Sequence, residues 1–428
     1  MYNSSHSNIF LFEKMFSSLR KFGLGFCDLP TMLWNVSYLL RVTTLNIDDR
    51  WENGKCIPIY FYIISAIVSS AYFYVYLVSM VWFIVWRCAE TGDLLAAIIV
   101  FSLGMASEIS TVKFLCMHFY IKQVRHIVCQ ILACDALVKP NSRFANNLAQ
   151  TLRLVKKRAI IFWMVIIGNG VVYITKPLLT PGRHFMEDLY VLYGLEPMYE
   201  SPNFEIAFCL FAMGVTFTCY LPANITAFFI VVSGYTEAQM LAWSEELRHL
   251  WKDANINYES YFKQSSEFNL LNAEDRNVWV NAFVRKRLIH IIKGHSTNIN
   301  LLHNIENVFQ VATAGEFCLL VIGMIAELLG GLENTYLEMP YALIQVGMDC
   351  LVGQRLIDAG TAFERAVYES EWENFDKSNM KIVLLILQNS QKKMTLSAGG
   401  ITTLSFTSLM TVIKSIYSAY TTLRTTMK

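Results

Sequence analysis

The sequence predicts an all-α, polytopic membrane protein with seven transmembrane helices, its N-terminus in the cytoplasm and its C-terminus outside. Three observations carry this. Hydrophobic residues make up 54% of the 428 and charged residues only 16%, against about 25% charged in a soluble domain. Apolar residues gather into seven stretches of the roughly 20-residue length that a membrane helix needs. Lys and Arg lie almost entirely on one side of those stretches.

The stretches are 57–86, 94–120, 159–179, 204–233, 308–329, 337–356 and a broken last one, 380–423. With the N-terminus inside, the cytoplasmic segments hold 24 Lys and Arg, whereas the outer ones hold Arg87, Arg183, Arg424 and Lys428. Cytoplasmic loops keep positive charge, so the bias sets the orientation, which is the reverse of a G-protein-coupled receptor. Residues 1–56 then form a cytoplasmic N-terminal region and 57–428 the seven-helix domain. The first eight residues are polar and the apolar run 9–12 is too short for a signal-peptide core, so the first stretch is expected to act as an uncleaved anchor.

The outer loops are short except 180–203, which contains Pro181-Gly182, Pro197 and Pro202. The inner loops are long and helical in pattern. Ile299, Leu302, Ile305 and Val308 recur at helical spacing, so the fifth helix is expected to run on into the cytoplasm. The last stretch is interrupted at Ser397-Ala398-Gly399-Gly400. Paired glycines permit unusual dihedrals, so a kink or break into a cytoplasmic half-helix and a membrane half-helix is expected there.

The remaining composition excludes more than it assigns. A net charge of +1 gives no reason to expect a nucleic-acid partner. The ten Cys are scattered without CxxC spacing, so no metal site is expected, and only Cys88 falls near an outer loop, which leaves no external disulfide pair. GxSxG, HExxH and P-loop motifs are absent, so neither an enzyme nor a cofactor is expected. The sequons at Asn3, Asn35 and Asn224 fall in the cytosol or the membrane and are expected to stay unglycosylated. Glu108, Lys113, Glu316, Glu327, Asp349 and Arg355 lie inside apolar stretches, where charge is expensive and must be paired or face water.

One pattern stands out near the C-terminus. Ser408, Thr411, Ser415, Ser418, Thr422 and Thr425 recur at spacings of 3, 4, 3, 4 and 3, which aligns six hydroxyls on one stripe of a helix. Such a stripe either packs closely on other helices or lines water. Lys414 and Arg424 lie off the stripe, Arg424 as an interface anchor, and no Asp or Glu ring is present to impose strong cation selectivity.

The C-terminal sixty residues carry an ordered series: Tyr368 and Trp372 four apart, Ser390-Gln391-Lys392, Ser397-Ala398-Gly399-Gly400, then a final helix. This series resembles the C-terminal signature of insect odorant receptors, whose members are seven-helix subunits of tetrameric ligand-gated cation channels. The resemblance implies a pore helix at about 400–425, with Thr422, Thr425 and Thr426 near the constriction. It implies a cytoplasmic anchor at about 234–310 and 357–400, and a plasma-membrane, multi-pass chain of a sensory-neuron dendrite in contact with membrane lipid. About seventy residues separate the fourth and fifth stretches. The family's co-receptor has a longer insertion there, so the chain is expected to be the odour-tuning subunit of a heterotetramer with that co-receptor.

The family's ligand pocket lies in the outer half of the bundle, among the second, third, fourth and sixth helices. By position that implies Ile98, Phe101 and Met105; Asn169 and Tyr173; Phe208, Phe211 and Ala212; and Tyr341, Ile344 and Gln345. Asn169, Tyr173, Tyr341 and Gln345 are the donors available to an ester, aldehyde or alcohol oxygen. Abundant aromatics favour a small volatile apolar odorant, a terpenoid or an ester over an amine or acid. His295 resembles a family histidine and is expected to be packed or to cap. Asp349 and Arg355, beside Gly353, are expected to act as structural ties in the anchor. Two alternatives are a gustatory-receptor-like channel subunit, against which the Ser-Gln-Lys and Ser-Ala-Gly-Gly series argues, and a metabotropic seven-helix receptor, which has the opposite topology.

Overall fold

Helices begin where a short polar side chain caps an apolar run. The computed structural model describes residues 20–51, 58–262 and 273–426. The sequon at Asn3, the apolar run 9–12, Cys56 and Lys428 lie outside the described residues. Asp28 accepts from the Thr31 amide at 3.0 Å and opens α1 (Leu29–Val42). The helical run α2 (Ile59–Thr91) contains wider π-type turns at Tyr74–Ser79 and Phe83–Arg87. Asp93 caps α3 (Leu94–Phe119), which α4 (Ile121–Ala136) follows, and Ser142 caps α5 (Arg143–Leu179). Then come α6 (Asn203–Arg248), α7 (Leu250–Phe262), α8 (Ala273–Gly330), α9 (Glu338–Tyr368), α10 (Lys377–Ser390) and α11 (Phe406–Thr426).

The centre of the bundle is α6. Every residue from 221 to 240 is buried, so neighbouring elements enclose this helix on every side. Helices α2, α3, α5, α8 and α9 pack around it, and α3 runs along α8. Among the described residues, five helices, α2, α3, α5, α6 and α8, are long and apolar enough to cross a membrane. The sixth apolar stretch is helical as α9, and the seventh holds most of α10 together with α11; these are not among those five. The outward surfaces of the bundle are apolar too. Ile59, Ile63, Ile67, Val81, Val85 and Trp86 on α2 and Leu154, Ile161, Met164, Val171, Val172 and Leu178 on α5 are exposed. An apolar area this large marks a surface made for lipid.

The long extensions beyond the apolar stretches are continuous helices. The fifth stretch does extend as one helix of 58 residues, α8. Ion pairs tie its neighbours: Arg143 reaches Glu246 at 3.0 Å and Asp253 at 2.5 Å, Arg158 reaches Glu237 at 2.6 Å, and Arg287 also contacts Glu246. His295 is buried and stacks on Phe363 at 4.6 Å, and burial lowers its pKa, so it is a packed histidine. Asn35 and Asn224 are buried at 7% and 1% exposure, which leaves no room for a glycan on either.

The break in the last stretch takes a form that the sequence reading did not foresee. In place of two half-helices meeting at a kink, α10 ends at Ser390 and a small antiparallel hairpin pairs Ser397 with Thr403 and Ala398 with Thr402. Gly399 and Gly400 form its turn with φ of 61° and 73°. Two successive left-handed residues give the turn whose twist matches paired strands. The hairpin is docked, not free: the Gly399 amide donates to the Gln310 carbonyl of α8 at 2.9 Å.

Candidate ligand cavity and pore helix

A cavity of about 40 Å³ opens between α2, α3, α5, α6 and α9. Its walls are Tyr76, Leu103, Ala106, Ser107, Asn169, Gly170, Tyr173, Val215, Thr218, Cys219, Leu337, Glu338 and Tyr341. A water needs about 10–15 Å³ by this measure, and a benzene-sized guest has been held by a cavity near 150 Å³. The cavity therefore admits a few waters and must widen to hold a volatile molecule.

Three of the residues expected at a pocket are in its walls: Asn169, Tyr173 and Tyr341. The others lie elsewhere. Phe211 is buried against Tyr190 and Phe185, with Phe208 and Ala212 packed beside this aromatic group. On α3, Met105 and Ile98 point at α8: a Cβ on Gly323 would meet Met105 Cβ at 3.1 Å, and one on Gly330 would meet Ile98 Cγ2 at 3.7 Å. Phe101 is half-buried on the same helix and outside the cavity lining. Ile344 packs in the main core. Gln345 is fully buried, and its amide oxygen accepts from Lys113 Nζ at 3.2 Å.

The sequence reading missed Tyr76 on α2, because it considered only four helices, and Leu337 and Glu338, because it began the α9 contribution at Tyr341. A signal was present. Glu338 stands three residues before Tyr341 and so shares its helix face.

Below the cavity lies a buried charge cluster. Lys113 Nζ is 2.9 Å from Glu316 Oε2 and 3.8 Å from Asp349 Oδ2, and it donates to Thr226 Oγ1 at 2.7 Å. All three charged groups are at most 3% exposed. This corrects the reading of Asp349 as an anchor tie beside Arg355: Asp349 faces Lys113, and Arg355 is exposed. Tyr341, Gln345, Asp349 and Gly353 repeat every four residues, so one face of α9 runs from the cavity through the charge cluster. It ends at the root of α11, where a Cβ on Gly353 would lie 2.2 Å from the Leu404 carbonyl oxygen.

Helix α11 packs on α8 and α9, yet Ile416 is its one fully buried residue. Thr411, Ser415, Ser418, Thr422, Thr425 and Thr426 are exposed or nearly so, and Ser408 is half-buried. Several of their protons are used within the helix: Thr411 donates to the Thr407 carbonyl at 2.9 Å, Ser415 to Thr411 at 3.0 Å and Thr422 to Ser418 at 3.0 Å. The free hydroxyl lone pairs then face outward as acceptors.

The 180–202 segment covers the other end of the cavity bundle. Tyr190 and Met198 are buried, and the Tyr190 hydroxyl donates to the Val75 carbonyl of α2. Glu187 is 9% exposed, and burial pushes its carboxyl up to about 7 against a weaker opposing pull from Lys176.

Comparison with known proteins fits this arrangement. The sequence profile of the family described as 7tm Odorant receptor matches residues 93–417. Odorant receptor 22c of Drosophila melanogaster is 21% identical over 230 residues, 52% of this chain and 54% of that receptor. Putative odorant receptor 85d of the same fly is 24% identical over 139 residues, 31% of this chain and 34% of that one. The match thus spans about half the length of the first relative and less of the second. In fold, the insect olfactory receptor OR5 from Machilis hrabei in complex with eugenol superposes with a TM-score of 0.72 at 12% identity, covering 93% of this chain and 98% of that one. A second structure of the same receptor gives 0.71, covering 92% of this chain and 98% of that one. The profile covers three-quarters of the chain, up to Tyr417 within α11, and the fold agrees over nearly all of it, so the chain belongs to the 7tm Odorant receptor family of insects.

Proposed function

We propose that this chain is the odour-tuning subunit of a heteromeric, odorant-gated, non-selective cation channel. It crosses the plasma membrane of a sensory-neuron dendrite seven times, with residues 1–56 inside and the end of α11 outside. The carrying observation is α11, a helix of 21 residues whose hydroxyl face is largely uncovered by its own chain. A polar face of this length at membrane depth needs water or a partner beside it. Four copies of such a helix around an axis satisfy both needs, with the acceptor oxygens toward the cation path and Thr422, Thr425 and Thr426 at the outer constriction.

The tetramer partner is the family's co-receptor, joined through the cytoplasmic anchor. Tyr368, Trp372, Leu384 and Leu385 are exposed and apolar on α9, α10 and the loop between them, and they offer a contact face for a neighbouring subunit. The ligand enters the Tyr173–Tyr341 cavity and widens it. A ligand shifts a conformational equilibrium only by binding one state better, and an initially contracted cavity supplies that difference. An apolar skeleton such as that of a terpenoid or an ester suits the Leu103, Ala106 and Val215 walls. OR5 from Machilis hrabei, which shares the fold, was solved with eugenol.

The test is whole-cell current from cells expressing this chain with and without the co-receptor, under a panel of volatile alcohols, esters, terpenes and aldehydes. A fast cation current with both subunits that survives G-protein blockade is the expected result. Second-messenger signals without direct current would overturn the channel reading, and robust current from this chain alone would overturn the tuning-subunit reading.

A further inference from the structure

The polar atoms of the cavity divide into two sets. In the first, protons are already committed to backbone carbonyls: Asn169 Nδ2 to Leu337 at 3.2 Å, Tyr341 Oη to Thr218 at 2.7 Å, Thr218 Oγ1 to Gly214 at 3.0 Å and Ser107 Oγ to Gly104 at 2.9 Å. The second set is open. The Glu338 carboxyl is 6% exposed, takes a long bond of 3.4 Å from Ser102 and has the Tyr173 hydroxyl beside it. The Tyr173 hydroxyl is buried and has no well-formed hydrogen bond among the described residues, although it stands near enough to Glu338 to interact with it. Among the described residues, no Lys, Arg or His is in the cavity walls.

A guest therefore meets an acceptor it can donate to and, beside it, a donor it can accept from. An ester or ether brings acceptors only, so it can pair with a donor but not with an accepting oxygen of Glu338. A hydroxyl group satisfies both at once. We propose that the cavity selects volatiles carrying a hydroxyl group, with Glu338 as acceptor and Tyr173 as donor, over esters and ethers of the same skeleton. This rests on the reading of the cavity as the odorant site. Stranding a buried polar group is penalised enough to separate such analogues by about ten- to a hundredfold.

The experiment uses the full chain with the co-receptor and matched sets of volatiles: an alcohol, its acetate and its methyl ether on one terpene or linear skeleton. The alcohol is expected to activate at a concentration at least tenfold below the other two. Glu338→Leu is expected to raise the alcohol's half-maximal concentration at least tenfold while shifting the acetate and ether by less than threefold, whereas Tyr173→Phe, which removes a donor that all three can use, is expected to weaken all three. The ranking of the three compounds on the unaltered chain carries the test if the Glu338 variant fails to reach the surface. Equal potency of the three compounds on the unaltered chain would overturn the proposal, as would equal shifts for all three in Glu338→Leu. A response dominated by amines would overturn the hydroxyl assignment and leave the receptor reading standing. No current with any volatile would overturn the receptor reading itself, and this one with it.

Discussion

Replacing Lys113 with Met removes the cation from a site with two carboxylates. At an effective dielectric constant of about 20, the 2.9 Å and 3.8 Å separations correspond to attractions of roughly 6 and 4 kcal/mol. Desolvation of the three groups offsets much of this, and deleting one partner of a buried pair costs about 3–5 kcal/mol. Native stabilities are about 5–15 kcal/mol, so Lys113→Met is expected to remove a large share of folded receptor from the cell surface. For a chain of this size roughly 2 °C follows each kcal/mol, so the apparent Tm of the detergent-solubilised protein falls by about 5–10 °C. The triple variant Lys113→Met, Glu316→Gln, Asp349→Asn removes every charge in the cluster and recovers at least half of the loss. Surface biotinylation and fluorescence-detected size-exclusion after heating measure both. A single variant within about 2 °C of the unaltered chain, or a triple variant no better than the single one, would refute the electrostatic account.

Three further outcomes follow from other parts of the fold. Gly353→Ala forces a methyl group against Leu404; overpacking of this kind costs about 1–3 kcal/mol, and current amplitude per surface receptor is expected to fall, whereas Gly347→Ala, with open space around it, leaves it unchanged. Gly400→Val places a branched residue at φ 73°, a strain of about 1–3 kcal/mol, and is expected to loosen the hairpin, seen as faster hydrogen exchange at 396–404. The 180–202 segment weakens as pH rises. Glu187 has a folded value near 7 against 4.5 unfolded, so its contribution is full below about pH 4.5 and lost as pH passes 7. His184, raised mainly by its hydrogen bond to Asp188, adds in the same direction. Proteolysis of the segment is expected to accelerate from pH 5 to pH 8, and Glu187→Gln to flatten most of that dependence.

The apolar stretches were legible because each is long and nearly free of charge, and α8 could be extended beyond its apolar stretch because the residues before that stretch keep helical spacing. The start of α5 at Arg143 was not legible from hydropathy, since that half of the helix is polar and is held by ion pairs to α6 and α7. The hairpin at 397–403 was half legible: the glycines announced a break, but strand pairing depends on docking to Gln310, which is distant in sequence. The site divided in the same way. Helix position alone found Asn169, Tyr173 and Tyr341. Which residues of α3 face the cavity is decided by the rotation of α3 against α8, where Gly323 and Gly330 let the helices approach, so Leu103 and Ala106 are in the walls and Ile98 and Met105 are not. The hydroxyl stripe of α11 was legible because it is periodic and local.

The measurement that tests the account most directly is odorant-evoked current in excised outside-out patches carrying the co-receptor and this chain with Ser418→Cys. Ser418 is exposed on the hydroxyl face of α11. The account predicts that the current survives excision without nucleotides, and that a charged thiol reagent applied from outside during odorant exposure reduces it irreversibly, while patches with the unaltered chain are unaffected. A current that disappears on excision, or one that the reagent leaves intact although labelling shows the introduced thiol modified, would contradict it.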